Sequence, residues 1–86
     1  MVEMVSNFAA KVGQLVVNLA SRRDVHVSLS IQESLLNKQQ LQLKVTMMNA
    51  GKSYQIVESL TEAAVEDIHD VGVVADAIHN KLVKMK

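Results

Sequence analysis

The chain has no cysteine, so it has no disulfide framework and no thiolate ligands for zinc or an iron–sulfur cluster. That composition suits a reducing, cytoplasmic setting. It has no proline either, so no periodic segment is broken by a residue without an N–H. Aromatic residues are reduced to Phe8 and Tyr54, which makes the expected core aliphatic and leaves no row of rings on which bases could stack. The three glycines, Gly13, Gly51 and Gly72, stand far apart, which excludes a glycine-rich phosphate loop. Net charge is missing as well. Nine acids balance nine bases, against a protein whose affinity comes mainly from the phosphate backbone of nucleic acid. No apolar run approaches the roughly 18–20 residues that span a bilayer. Glu3 and the absence of a leading basic region do not read as a signal peptide.

What is present is periodic. Over residues 2–21, Met4, Val5, Phe8, Val12, Leu15, Val16 and Leu19 follow the spacing of a single helical stripe. Glu3, Asn7, Lys11, Gln14 and Asn18 take the other face, and Arg22 and Arg23 close the helix where cations suit its dipole. From Asp24 the period becomes two. Val25, Val27, Leu29 and Ile31 alternate with His26, Ser28, Ser30 and Gln32, and Leu41, Leu43, Val45 and Met47 alternate with Gln40, Gln42, Lys44 and Thr46. Between these two strands lies a loop, residues 33–38, whose Leu35 and Leu36 need cover from the domain or from a partner. Asn49-Ala50-Gly51-Lys52 reads as a hairpin turn. A third strand runs from Ser53 to about Ser59, with its alternation failing at Ile56-Val57, the mark of a bulge or an edge.

Thr61 reads as a helix N-cap, with Leu60 and Val65 as a hydrophobic staple, and Ser59 with Glu62 is an alternative capping box. Ile68, Val71, Ala75, Ile78, Leu82 and Met85 then continue one stripe through Gly72. The favoured reading is one long helix bent at Gly72. The rival is two helices, with Gly72 as the left-handed C-cap of the first. The expected fold is a single α+β domain of order αβββα. Both helices lie on one face of a three-stranded antiparallel sheet, and Val25, Val27, Leu29 and Ile31 enter the core.

Candidate chemistry is thin. Glu66 with His69, and Asp76 with His79, are carboxylate–His pairs three residues apart, a spacing that shares a helix face and could chelate a metal. On one helix the two pairs point in different directions, so no metal, cofactor or small-molecule substrate is expected. His26 beside Ser28 and Ser30 lacks a nucleophile elbow and an oxyanion hole, so no enzyme is expected. The polar face of the sheet, and the strand edges, are better suited to binding. An edge invites an added strand or a homodimer. The acids are also clustered. Glu58, Glu62, Glu66, Asp67, Asp70 and Asp76 occur in a run with no Lys or Arg, an acidic ridge fit for a basic partner that binds nucleic acid.

Two families resemble the chain. Arg23-Asp24-Val25-His26-Val27-Ser28-Leu29, and the ending from Asp76 to Lys86, look like a strand and the C-terminal helix of ribosome hibernation factors, whose core has the same helix–three strands–helix order after an initial strand. That resemblance implies ribosome or RNA contacts through Arg22, Arg23, Lys38, Lys44 and Lys52. Gly51-Lys52-Ser53-Tyr54-Gln55-Ile56-Val57-Glu58-Ser59, a strand running into an acidic helix, is similar in style to small phage-encoded inhibitors of the anti-CRISPR type. That likeness implies a protein that occupies a partner's nucleic-acid-binding surface. The leading expectation is therefore a non-catalytic inhibitor from a phage or mobile element. Its contacts would be Glu62, Glu66, Asp67 and Asp70, with Leu35 and Leu36 as apolar anchors.

Overall fold

The computed structural model describes residues 7–33 and 39–86. Leu35, Leu36 and Lys38, like Met4 and Val5, lie outside the described residues. The element order is α1 (Asn7–Ala20), β1 (Val25–Glu33), β2 (Gln39–Asn49), β3 (Lys52–Thr61), α2 (Glu62–Glu66) and α3 (Val71–Met85). The three strands form an antiparallel meander in the order β1-β2-β3, so β2 is central and both β1 and β3 are edges.

Local chemistry explains each junction. Asp24 takes φ 62, a left-handed conformation that a short polar side chain tolerates, and its carbonyl accepts a 3.0 Å bond from the Met48 N–H. At the β2–β3 turn Ala50 and Gly51 have φ 53 and 79. Positive φ at both central positions is the type I′ geometry whose twist matches that of a hairpin. Pairing continues without interruption from Asn49↔Lys52 to Gln40↔Thr61. The failed alternation at Ile56-Val57 is therefore no bulge. Ile56 is half-buried against the core, and Val57 stands exposed on the open face of an edge strand.

Alternation puts Leu41, Leu43, Val45 and Met47 of β2 on the covered face, where Phe8, Val12, Leu15 and Leu19 of α1 meet them. Val65, Ile68, Ala75, Ile78 and Leu82 complete the layer from the C-terminal helices. Gln42 and Lys44 remain exposed on the opposite face. The architecture is the expected α+β layer with its helices on one side of the sheet.

Three details differ from the sequence reading. First, the C-terminal helix is neither continuous nor capped by Gly72. It breaks at residues 67–70, and Gly72 lies inside the first turn of α3. The break persists because its exposed backbone groups find partners. The Asp70 carboxylate accepts from the Gly72 and Val73 N–H groups, capping α3, while Lys11 of α1 donates to the carbonyls of Ile68 and Glu66. Second, the polar face of α1 is only partly solvated: Asn7 and Gln14 are exposed, whereas Lys11 and Asn18 are half-buried. Asn7 and Lys11 donate to the Glu66 carbonyl at 3.4 and 3.5 Å, so this side of α1 meets the α2–α3 segment, while Asn18 accepts locally from Arg22 at 2.9 Å. Third, β1 enters the core only in part. Val25 is buried and Val27 half-buried, but Leu29 and Ile31 remain 41% and 44% exposed. The helices cover the central strand first, and the second half of this edge strand extends past them.

Candidate functional site

Four acidic residues fall in the short segment that follows β3. Thr61 accepts from the Ala64 N–H at 3.1 Å and starts α2 directly out of β3, as its N-cap position requires. One turn later the chain bends, and so Glu62, Glu66, Asp67 and Asp70 are held within a nine-residue segment. Two of the four already have work. The Glu62 carboxylate accepts from the Gln39 N–H at 3.0 Å, which ties the start of β2 to α2. Asp70 is the cap of α3. Glu66 and Asp67 make no side-chain bond to a described residue, and they are the members freest to meet a partner. Lys11 is the base that reaches this segment, and its ammonium lies against the freed carbonyls.

The outer acids are neutralised. Asp76 pairs with Arg22 at 2.7 Å and Glu58 with Lys81 at 2.9 Å. Both bridges join distant parts of the chain, α3 to the end of α1 and α3 to β3. Arg22 is thus a tether between helices, with a side chain only 24% exposed, rather than an open contact for RNA. Arg23 stays exposed, 3.9 Å from Asp24. Lys52 sits with it at the hairpin end of the sheet, opposite α2. Lys44 is central on the open face, in the row Ser28–Lys44–Val57. The basic residues do not converge. Arg23 and Lys52 stand at the hairpin end of the sheet, away from Glu62 of α2, which meets the start of β2.

The enzyme-like patterns lose their geometry. Glu66 ends α2 and His69 lies in the bend, so the helical spacing that would let them share a ligand is absent. Asp76 and His79 do share α3, but the carboxylate faces Arg22. Among the described residues no group of three or more His, Cys, Asp or Glu side chains is assembled as a metal site. No described helix is long and apolar enough to cross a membrane. His26, Ser28 and Ser30 are exposed along β1, and a shallow depression on this face is bordered by Ser28, Ser30, Gln42, Lys44 and Val57.

Leu29 and Ile31 are surface residues that the alternation of β1 does not reveal. Their alternation marks a covered face, and it carries no information about how far the cover extends. The one sequence signal is negative: β1 has no Lys, Arg or Pro of the kind that blunts an edge. Compared with models of protein families, with curated proteins and with solved structures, the chain matches none.

Proposed function

We propose that this chain is a non-catalytic protein-binding module that docks its acidic segment on the nucleic-acid-binding surface of a partner, as inhibitors carried by phages and mobile elements do. One observation carries the reading: Glu62, Glu66 and Asp67 fall on one short segment tied to the start of β2 and to Asn7 and Lys11 of α1, while the exposed Arg23 and Lys52 lie at the hairpin end of the sheet. A segment of concentrated negative charge presents to a basic surface much as phosphate does, and complementary potentials govern orientation and encounter rate. The segment is tied down at three points, since α2 is capped by Thr61, held to β2 through Glu62 and held to α1 through Lys11.

The test is an affinity pull-down from bacterial lysate, with and without nuclease, using the wild-type chain and a Glu66→Lys/Asp67→Lys variant. Asp70 is left unchanged, because reversing it would also remove the cap of α3. The expected result is one nuclease-resistant protein complex, displaced by added DNA or RNA and weakened at least about tenfold in the variant. A complex indifferent to both the variant and the polyanion overturns the proposal. Recovery of ribosomal proteins that disappears after nuclease would instead favour a hibernation-like factor.

A further inference from the structure

The two edges of the sheet are not defended alike. On β3, Glu58 is half-buried on the covered face and pairs with Lys81 of α3, an inward-pointing charge of the kind that discourages a further strand. On β1 the charge is confined to Glu33, at the last position of the strand. Val25 to Glu33 pairs with β2 over nine consecutive positions without a bulge, and the strand contains no Lys, Arg or Pro. The Met48 N–H bonds to the Asp24 carbonyl, which identifies one bonded pair of the ladder. Because bonded and non-bonded pairs alternate in antiparallel sheets, His26, Ser28, Ser30 and Gln32 direct their backbone groups to β2. Val25, Val27, Leu29, Ile31 and Glu33 direct theirs to the free edge. The Val25 N–H is taken by the Arg22 carbonyl at 3.3 Å, but among the described residues nothing meets those of Val27, Leu29 and Ile31.

We propose that β1 pairs antiparallel with β1 of a second copy about a two-fold axis at Leu29, joining two three-stranded sheets into one. The strand is complementary to itself in that register. Leu29 faces the partner's Leu29, and Val27 faces the partner's Ile31, all through outward-directed backbone groups. These three central pairs exchange about six hydrogen bonds. On the open face Ser28 meets the partner's Ser30, and His26 meets the partner's Gln32. Glu33 meets the partner's Val25, so no two like charges oppose each other. On the covered face the exposed Leu29 and Ile31 form a continuous apolar row across the joint, which gives these side chains the cover that α1 and α3 do not supply. An isologous contact of this kind closes at two chains and does not propagate while β3 stays defended. The pairing leaves the acidic segment free, so it stands or falls independently of the reading above.

Sedimentation velocity on the full chain, from micromolar to millimolar protein, tests the proposal directly. The expected mass rises from one chain to two, and the amides of Val27, Leu29 and Ile31 exchange more slowly as dimer forms. Leu29→Pro removes an N–H that β2 does not use, and proline is tolerated on edge strands in that orientation. It should weaken association at least about tenfold with far-UV circular dichroism unchanged. If that variant does not fold, Ile31→Lys, which adds the usual edge charge, makes the same comparison. Val57→Pro on the opposite edge and Val17→Lys on the exposed side of α1 should leave the dimer intact. A chain that stays monomeric throughout, or a dimer lost in Val57→Pro or Val17→Lys but kept in Leu29→Pro and Ile31→Lys, overturns the proposal.

Discussion

Ala50 holds φ 53, a left-handed conformation for which its methyl group is poorly suited and asparagine is well suited. Ala50→Asn creates the Asn-Gly pair favoured by type I′ turns, and it should raise stability by about 0.5–1 kcal/mol in urea unfolding. Asp70 acts in the opposite sense. Its carboxylate satisfies N–H groups at the start of α3, so Asp70→Ala should cost about 1 kcal/mol, with most of the loss restored by Asp70→Ser. Lys11 belongs with Asp70, because together they stabilise the two sides of one break. Replacing Lys11 with Met keeps the apolar stem and removes the ammonium from the carbonyls of Ile68 and Glu66. Amide exchange should then accelerate across α2 and the bend before it does in the sheet.

Among the elements, α1 shows how propensity and packing divide the labour. Phe8, Val12, Leu15 and Leu19 face the sheet, and their burial outweighs the presence of Gly13 in mid-helix. A Cβ at Gly13 would meet nothing within 4 Å, so Gly13→Ala should stabilise by about 1 kcal/mol without altering a contact. The melting temperature should rise by roughly 4–8 °C for a domain this small. At Gly72 the same change brings the new Cβ to 3.2 Å from the Asp70 carboxylate, which must shift, so that gain should shrink or vanish. Leu15 is fully buried, and Leu15→Ala should cost about 2–5 kcal/mol, a large fraction of what a small domain possesses. α2 is a contrast. At five residues it is too short to be stable alone and exists through Thr61, Val65 and Lys11.

For the molecule as a whole, a single core links every described element, so unfolding should be one cooperative transition by both fluorescence of Tyr54 and circular dichroism. The bridges Arg22–Asp76 and Lys81–Glu58 fasten α3 at two places, and as partly exposed pairs they contribute modestly and weaken with salt. Their larger consequence is electrostatic. By neutralising the flanking acids they leave the unbalanced negative charge at α2, where the proposed partner contact lies. The open edge of β1 offers a different kind of contact, made by backbone and apolar side chains.

The helix–strand–strand–strand–helix order, the hairpin at Ala50-Gly51, the N-cap at Thr61 and the covered face of β2 were all legible in the amino-acid sequence. These are local properties, set by a period of 3.6 or 2.0, by φ preference and by capping chemistry within a few residues. Where the last helix breaks depends on a distant contact as well as on the Asp70 cap, because Lys11, which bonds the freed carbonyls, comes from the other end of the chain. Only the tertiary structure decided that Arg22 is a tether and not an open cation, since its partner Asp76 lies 54 residues away. Periodicity reports which side of a strand is apolar, and Leu29 and Ile31 satisfied it. How much of that side two helices can cover depends on their length and placement over the sheet, which no local pattern contains.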